Sequence, residues 1–550
     1  MSYIVYTIDM ILPDEHLRKL LRKAITKAYP EITDIEVPIE PTTDVQFGDY
    51  TSTVALKLAK LVSQSPRDVA VNLIALLGAE TPMLLKAEVA GPGFINFTLK
   101  PAWIMKQVKG VLADRQFGSN TSGKGKRILV EYISANPTGP MTLGNGRGAF
   151  GGDTLANVLV MNGWKVWREY YLNDIGNQVN ILAESVIRRY FQQQGIPTEY
   201  PEHCYQGEYV SDLARSMKIE RLKMKDMMNL RDRIKGRVLE TMITGLQRVV
   251  EKKLKIRFNA WFRESSLYTK KLDVQTLNIL RSHDLVYEKE GATWFRTTAY
   301  GDDKDRVLVK SDGEKAYFLS DIALRQYRFG QRGFDREILF LGADHHGYIN
   351  RLQAGMSALG YAKKLDVEIV QMVRLMKDGT EVKMSKRAGT YVTLEEVVDE
   401  VGLDVARFFF LMHRPSTHMD FDMSLAKEKS EKNPVFYVQY AHARIASILK
   451  KVGRAPRRIS KEPPHRSELQ LVKTLLEFPI VVRDVAISHE TQKLPFYAMQ
   501  LATKFHEFYT HCRVLDEGSV WAHRLELVTA TQVVLRKALH VMSISAPEKM

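Results

Sequence analysis

The sequence predicts an α/β protein built on a parallel sheet, with a smaller α/β module before it and an all-helical region after it. The β-branched stretch "RILVEYIS" is followed by a glycine turn, a helix and a second strand, "GWKVWREYYL". This order and length are typical of a parallel strand pair. A second apolar run, "REILFLG", ends in polar residues, and from about residue 430 apolar residues recur every three or four positions. We therefore expect three units, covering residues 1–116, 117–430 and 431–550.

The first unit carries its own helix and strand signals. In "SPRDVAVNLIALLG", Ser65 is the predicted N-cap, Pro66 the first helical residue and Gly78 the stop. "GFINFTL" alternates like a strand after a "GPG" turn. The stretch 116–127 is rich in Gly, Ser and Asn and predicts a linker.

Polar clusters follow two strands of the predicted parallel sheet. The first is the loop "ANPTGPMTLGNGRG" (135–148), and the second contains Asp344, His345 and His346. In an open parallel sheet, ligands bind beyond the carboxyl ends of the strands. Both clusters therefore predict one shared site.

The last unit predicts packed helices. Its segments include "NPVFYVQYAHARIASILKK" and "LPFYAMQLATKFHEFYTHCRVL". At this spacing we expect Phe505, Phe508 and Tyr509 to be core residues rather than platforms for nucleic-acid bases.

Composition limits the class of protein. A hydrophobic share of 45% and a charged share of 26% are ordinary for a soluble globular chain, and no window predicts a membrane span. The start contains Asp9 and no basic leader, so we expect no signal peptide. Cys204 and Cys512 lie far apart without His or Cys partners at ligand spacing, so we expect neither a disulfide framework nor a structural zinc, and a cytoplasmic location.

The net charge of +15 favours a polyanionic partner, although a basic solvated surface is the simpler alternative. Lys and Arg are concentrated in residues 218–237 and 450–461. Such clusters favour nucleic acid over a small acidic metabolite.

Two loops, about 240 residues apart, predict phosphate chemistry. Gly144, Gly146 and Gly148 remove side chains where a helix begins, so its N–H groups can approach an anion, although glycines that only allow close helix packing would look the same. "VKMSKRAGT" (382–390) places lysines in a loop that could stabilise charge developing on a phosphoryl group.

Together these loops resemble the two signatures of class I aminoacyl-tRNA synthetases, and "KMSKR" is a full match. The surrounding "VEYISANPTGP", "NGWKVWREYYLNDIGNQ", "YFLSDIA", "LGADHHGYINR" and "FYVQYAHARIASIL" resemble the arginyl-tRNA synthetase family, as do "AGPGFINFTL" and the final "ISAPEKM". The resemblance covers nearly the whole chain.

The resemblance implies a Rossmann-type catalytic domain (117–430) that activates L-arginine with ATP and transfers it to the 2′-hydroxyl of the terminal adenosine of arginine tRNA. It also implies an N-terminal module (1–116) that binds the tRNA elbow and a helical anticodon-binding domain (431–550). Mg²⁺ is expected to arrive with ATP, and the protein to be a monomer with neither membrane nor DNA as a partner.

Matching positions imply a pocket for the arginine substrate, whose guanidinium needs planar, paired acceptors. The implied arginine ligands are Glu131, Ser134, Asn136, Tyr317, Asp321 and His345. If the chain is helical at residues 317–321, the i, i+4 spacing puts Tyr317 and Asp321 on one face. Glu131 could instead be a sheet-edge charge, and Asp321 a first-turn residue after Ser320 as N-cap.

The remaining implied roles concern ATP and tRNA. Catalytic roles fall on Thr142, Asn145, Lys383 and Lys386; ATP contacts on Pro137, Gly144, Gly146, Gln371, Met372, Met384 and Ser385; and tRNA contacts on Tyr437, Gln439 and Arg444. A helix packed at a domain joint would account for the last three equally well.

Thr142 departs from the family pattern, which usually has histidine at this position. A Thr hydroxyl donates one hydrogen bond but is shorter and never cationic. The same Thr/Asn form of the corner is typical of many tryptophanyl-tRNA synthetases, which are active, and His345 or His346 could compensate.

Three rival functions follow from the sequence. The altered corner could belong to a catalytically weakened homologue that mainly binds tRNA. Another class I specificity would need an editing insertion or zinc-binding cysteines for which the chain has no room or residues. A non-enzymatic basic RNA-binding protein would explain the charge but not the two loops.

Overall fold

The computed structural model describes residues 12–42, 44–77, 81–217, 227–382, 392–453, 455–460, 462–516 and 518–550. None of the helices in these ranges is long and apolar enough to cross a membrane.

The N-terminal module packs helices on an antiparallel sheet of order β1-β2-β4-β3. Its elements are α1 (Pro13–Ala28), β1 (Glu40–Pro41), β2 (Tyr50–Ser52), α2 (Val54–Val62), α3 (Pro66–Leu76), β3 (Leu84–Ala90), β4 (Phe94–Leu99) and α4 (Pro101–Ala113). The predicted cap of α3 is confirmed, because Ser65 Oγ accepts from the Asp68 N–H at 3.1 Å and Pro66 follows at the first helical position. The predicted strand is β4, and Gly78 lies outside the described residues.

The predicted linker is packed rather than free. Phe117 is buried and contacts the Phe478 ring at a centroid distance of 6.3 Å, and the Gly123 N–H donates to the Asn162 carbonyl at 2.8 Å. The turn composition was recognisable in the sequence, but the distant partners of these residues were not.

The central sheet is parallel, with strand order β12-β11-β5-β6-β7. Its first part contains β5 (Arg127–Glu131), α5 (Asn145–Met161), β6 (Lys165–Leu172), α6 (Asn177–Gln193), α7 (Glu208–Ser216), α8 (Met227–Arg248), β7 (Ala260–Arg263), α9 (Ser265–Thr269) and α10 (Leu272–Ser282). The predicted β5–α5–β6 unit is confirmed. Gly152 allows the close packing of α5 on β5, because an added Cβ would lie 2.4 Å from the Tyr132 ring.

An antiparallel insertion separates β7 from the last two strands of the parallel sheet. The elements are β8 (Val286–Lys289), β9 (Ala292–Phe295), β10 (Arg306–Val309), α11 (Tyr317–Gln326), β11 (Arg336–Gly342), α12 (Ile349–Ala358) and β12 (Leu365–Val370). Strands β8, β9 and β10 form a separate three-stranded sheet. β5 and β11 are adjacent and parallel, as the two polar clusters required.

A connecting region leads to the C-terminal helices. It contains β13 (Val373–Lys377), β14 (Thr380–Glu381), α13 (Leu394–Val401), α14 (Leu403–Leu411), β15 (Met419–Asp422) and α15 (Met423–Lys427). The last part contains α16 (Pro434–Val452), β16 (Arg457–Arg458), α17 (Arg466–Ser488), α18 (Lys493–His511), β17 (Leu515–Asp516), β18 (Ser519–Trp521) and α19 (Ala522–Val541). Phe505 and Phe508 are fully buried, as predicted, and Tyr509 is partly buried. The helices carry a small sheet that was not predicted, because its strands are only two or three residues long.

The segment after α19 returns to α5. Asn157 Nδ2 donates to the Val541 carbonyl at 3.0 Å. Arg407 of α14, fully buried, donates to Asp153 Oδ2 of α5 at 2.9 Å, to the Leu254 carbonyl at 2.8 Å and to the Met542 carbonyl at 3.4 Å. These contacts tie the central sheet layer to the C-terminal helices.

Candidate active site

A cavity of about 970 Å³ opens at the carboxyl edge of the parallel sheet. The described residues that were predicted and that line it are Glu131, Ser134, Asn136, Asn145, Tyr317 and Asp321. They come from the end of β5, the following loop, the start of α5 and one face of α11. The structure therefore brings residues that are up to 190 positions apart to one side of the sheet, as Asp321 and Glu131 illustrate.

The glycine corner is held by its own asparagine. Asn145 Oδ1 accepts from the Thr142 backbone N–H at 2.8 Å and from Thr142 Oγ at 3.2 Å. This use of Oδ1 leaves Nδ2 as the end of the amide that can donate toward the cavity.

The two glycines predicted to contact ATP differ in their surroundings. A Cβ on Gly144 would meet only Thr142 Oγ, at 4.0 Å, so this position is open to a ligand. A Cβ on Gly146 would lie 2.6 Å from the Phe410 ring and 3.0 Å from Leu394, so Gly146 also serves close packing, the simpler alternative.

The predicted lysine loop joins this corner at one end. Lys383, Met384, Ser385 and Lys386 lie outside the described residues. Just after them, Thr393 forms an isolated backbone bridge with Thr142, and the Leu394 N–H donates to the Met141 carbonyl at 3.0 Å. The chain that follows the lysine loop therefore touches the glycine corner.

The other predicted ATP contacts lie outside the cavity lining. Pro137 is buried, while its neighbours Asn136 and Thr138 line the cavity. The Gln371 N–H donates to the Pro415 carbonyl at 2.8 Å, and Met372 is 74% exposed. For His345 the structure gives the backbone, in a 3-10 turn after β11, and the side chain lies outside the described residues.

The two predicted guanidinium acceptors are already paired with arginines of the protein. Glu131 Oε2 lies 2.6 Å from Arg328 Nη2, and Asp321 Oδ1 accepts from Arg325 Nη1 at 3.0 Å. Tyr348 OH donates to Asp321 Oδ2. The structural alternative for Asp321 is wrong: α11 begins at Tyr317, and Ser320 bonds Tyr268 OH at 2.7 Å rather than capping the helix.

These pairs belong to a charge network beneath the cavity that is buried except at Asp321, whose side chain is 33% exposed, and at Arg332, which is partly exposed. Arg328 also contacts Glu169 at 2.7 Å and Glu337 at 2.6 Å, Arg325 contacts Glu337 at 3.5 Å, and Arg332 contacts Glu169 at 2.6 Å. The network thus has four carboxylates (Glu131, Glu169, Asp321, Glu337) and three guanidiniums (Arg325, Arg328, Arg332). It carries one uncompensated negative charge, and burial makes such a charge costly unless a cation is bound.

The loop that leaves β5 is strained at the cavity. Ile133 has φ 69° and Ser134 has φ 41°, a region that β-branched residues rarely adopt. In this conformation Ser134 Oγ donates to Glu131 Oε1 at 3.3 Å and accepts from the Tyr171 N–H at 3.1 Å. Consecutive left-handed residues at a cavity are typical of a functional site.

Sequence reasoning missed Glu264. It follows β7 directly, is 5% exposed and lines the same cavity. Burial, helped by the charges of Asp321 and Asp174 and opposed by a hydrogen bond from Tyr171, raises the pKa of Glu264 to about 7. The signal was present, because a carboxylate at the end of the weak strand "AWFR" joins the same sheet edge, but this strand was not recognised.

The three predicted tRNA residues lie on α16. Tyr437 and Arg444 line a second cavity of about 530 Å³ together with Glu431, Phe436, Tyr440 and His506. Gln439 Nε2 instead donates to Asp404 Oδ2 at 2.9 Å and to the Ser545 carbonyl at 3.0 Å, which fits the alternative of a packed joint.

Three parts of the chain match known protein families. Residues 107–414 match the family model described as the catalytic domain of class I (R) tRNA synthetases, residues 15–99 the arginyl tRNA synthetase N terminal domain, and residues 438–550 the DALR anticodon binding domain. The arginine–tRNA ligase of Listeria welshimeri is 42% identical, with 98% of each chain covered.

The chain belongs to the arginyl-tRNA synthetase family.

Other relatives agree with this membership. The arginine–tRNA ligase of Shouchella clausii is 42% identical over 98% of this synthetase and 99% of its own length. The Thermus thermophilus arginyl-tRNA synthetase structure has the same fold, with a TM-score of 0.79 at 21% identity over 98% of this chain and 100% of that chain. The synthetase resemblance and the fold class are thereby confirmed.

Proposed function

We propose that this chain is an arginine–tRNA ligase whose sheet-edge cavity holds L-arginine beside ATP. It activates arginine to arginyl-adenylate with release of pyrophosphate, and then transfers arginine to the 2′-hydroxyl of the terminal adenosine of its tRNA. The observation that carries the proposal is the charge network beneath the cavity, because its four carboxylates outnumber its three guanidiniums and so favour a cationic ligand.

The arginine side chain is received by Glu131 and Asp321. Each carboxylate is fixed by an internal arginine, so it need not reorganise when the substrate binds. Tyr317 is 79% exposed and lies one helical turn before Asp321, from where it can close over the substrate. Asn136 and Ser134 hold the amino acid's polar backbone groups, Glu264 adds a third carboxylate, and His345 faces the amino acid from the end of β11.

ATP is held between the glycine corner and the lysine loop. Asn145 Nδ2 donates to phosphate, and the Thr142 hydroxyl joins it when its single proton turns from Asn145 Oδ1 to the phosphate. The open backbone at Gly144 allows the phosphates to approach the start of α5. Lys383 and Lys386, with Met384 and Ser385, would close from the segment that ends at Thr393. Gln371 and Met372 lie at the adenine, Pro137 and Gly146 shape the corner, and Mg²⁺ enters as part of the MgATP substrate.

The chemistry needs alignment and charge stabilisation rather than a covalent intermediate with the protein. The arginine carboxylate attacks the α-phosphorus, the bond to the bridging oxygen of pyrophosphate breaks, and negative charge builds on the phosphate oxygens. Donors already fixed by the fold stabilise that charge without reorganising.

The tRNA covers the remaining units. Residues 1–116 bind the elbow, residues 117–430 catalyse and residues 431–550 read the anticodon region, with Tyr437, Arg444 and, at the joint, Gln439 as contacts. The protein acts as a cytoplasmic monomer, and neither a membrane nor DNA is a partner.

Aminoacylation of arginine tRNA by the purified chain tests the activity, and Asp321→Asn tests the pocket. Removing one charged acceptor should raise the arginine KM by roughly 10- to 100-fold and leave the ATP KM unchanged. Asp366→Asn, which removes a carboxylate paired with Arg336 at the other end of the sheet, is the control and should leave both KM values unchanged. An unaltered arginine KM in Asp321→Asn would refute the pocket.

A weakened homologue that mainly binds tRNA is the second candidate, and Thr142 is the observation that favours it. Thr142 already donates to Asn145, so its hydroxyl is shared between the corner and any phosphate. Aminoacylation by the chain is compared with that of Thr142→His. If the wild type turns over within about ten-fold of the variant, the ligase is supported. If the wild type binds tRNA without turnover and Thr142→His restores turnover, the weakened homologue is supported.

A further inference from the structure

Three metal-type donors meet at the wall of the same cavity. Glu184 comes from α6, and His203 and Cys204 come from the segment between α6 and α7. One ligand atom from each lies within 4.8 Å of the others, and His203 Nε2 is 3.4 Å from Glu184 Oε2. His203 and Cys204 line the large cavity.

The donor set is the one that zinc prefers. Thiolate sulfur, imidazole nitrogen and carboxylate oxygen bind Zn²⁺ at roughly 2.0–2.3 Å, so tetrahedral ligands stand roughly 3.3–3.8 Å from one another. The separation of 3.4 Å between His203 and Glu184 falls in this range. Three protein ligands also leave a fourth position for water, as in zinc sites that are open to solvent.

The carboxylate of Glu184 and the backbone that carries the other two donors are held before any metal binds. Arg188 Nε donates to Glu184 Oε1 at 2.8 Å, so the carboxylate is oriented through one oxygen while Oε2 points to His203. The Tyr205 N–H donates to Ser185 Oγ at 2.9 Å, which fixes the segment after Cys204 against α6. Such neighbouring hydrogen bonds orient ligands in known metal sites.

We propose that Glu184, His203 and Cys204 bind one Zn²⁺ with a fourth position open to the cavity. The ion cross-links the irregular segment 194–207 to α6 and so stiffens this wall. This proposal departs from the sequence-based expectation of no thiolate zinc site. It relied on ligand spacing along the chain, whereas Glu184 is brought in by the fold from 20 residues before Cys204.

Zinc content and Co²⁺ spectroscopy of the full-length, tag-free chain test the proposal. After chelation and dialysis, the wild type should take up about one Zn²⁺ per chain, and Co²⁺ should give a thiolate-to-metal absorption band in the near ultraviolet. Cys512→Ser, which removes the other buried thiol, is the matched control and should keep both signals.

Cys204→Ser should lose the cobalt band, and its zinc affinity should fall at least 10- to 100-fold. His203→Gln removes a half-exposed side chain and should weaken zinc binding to the same extent, which provides a second test should Cys204→Ser misfold. Absence of zinc uptake by the wild type, an unchanged cobalt band in Cys204→Ser, or an unchanged zinc affinity in His203→Gln overturns the proposal. None of these readouts depends on the ligase activity.

Discussion

Asn145 uses the two ends of its amide for different purposes. Oδ1 holds the Thr142 N–H and hydroxyl, which shapes the corner, while Nδ2 is left for phosphate. An Asn→Asp change separates these roles, because a carboxylate keeps an acceptor for the Thr142 N–H and loses the donor.

We expect Asn145→Asp to lower kcat/KM for ATP by about 100-fold or more, since it replaces a donor with a negative charge beside phosphate. Pyrophosphate exchange in the presence of tRNA measures this loss. The thermal unfolding midpoint should match that of the wild type, because the corner keeps its internal hydrogen bond. An unchanged kcat/KM for ATP would place the phosphates elsewhere.

Glu264 makes arginine binding depend on pH. Because burial raises the pKa of Glu264 to about 7, the side chain is largely neutral at pH 6 and negative at pH 8. A cationic substrate binds the negative form better, so the arginine KM should fall as pH rises through 7, by up to about ten-fold per pH unit below the pKa.

Steady-state kinetics from pH 6 to 8 check this dependence, with the ATP KM as the internal reference. Glu264→Gln should flatten the profile and hold the arginine KM near its low-pH value. A Gln variant that keeps the wild-type profile would assign the titration to another group.

At the scale of residues, the sequence identified which side chains lie together better than it predicted their partners. Glu131, Tyr317 and Asp321 lie around one cavity, and the helical spacing of the last two is confirmed. Arg325 and Arg328 could not be assigned, because pairing in a buried network depends on positions far along the chain. Glu264 was not recognised because β7, the strand that it follows, has only four residues.

At the scale of elements, α5 is held by glycines that serve packing. Gly146 lies against Phe410 of α14 and Leu394 of α13, so the start of α5 abuts the helix that follows the lysine loop. The strand β5, the glycine corner and the helix α5 were predictable from local composition. The packing of α13 and α14 on α5 was not, since it joins segments about 250 residues apart.

Gly146→Ala should therefore destabilise the protein by about 1–3 kcal/mol, because the added methyl overlaps the Phe410 ring. Thermal unfolding measures the change. Gly245→Ala in α8 is the matched control: nothing lies within 4 Å of its new Cβ, so the better helix former should stabilise by up to about 1 kcal/mol. Equal shifts in both variants would contradict the packing role.

At the scale of the whole molecule, the charge of +15 should govern the tRNA step. Neutralising 6–10 phosphates makes affinity fall roughly 10³-fold or more between 50 and 200 mM salt. We expect the tRNA KM to rise steeply over this range, while the arginine KM, set inside a buried network, changes little. Aminoacylation kinetics at several KCl concentrations give both values, and parallel slopes would contradict electrostatic binding.

The return of the chain from α19 to α5 affects the order in which the protein is finished. Asn157 and Arg407 donate to the carbonyls of Val541 and Met542, which are synthesised after the helices α5 and α14 that carry these donors. In a nascent chain that lacks Val541 and Met542, the Arg407 guanidinium would be without one of its carbonyl acceptors. This synthetase thus completes the contacts of its catalytic layer only after residues 541 and 542 have been translated.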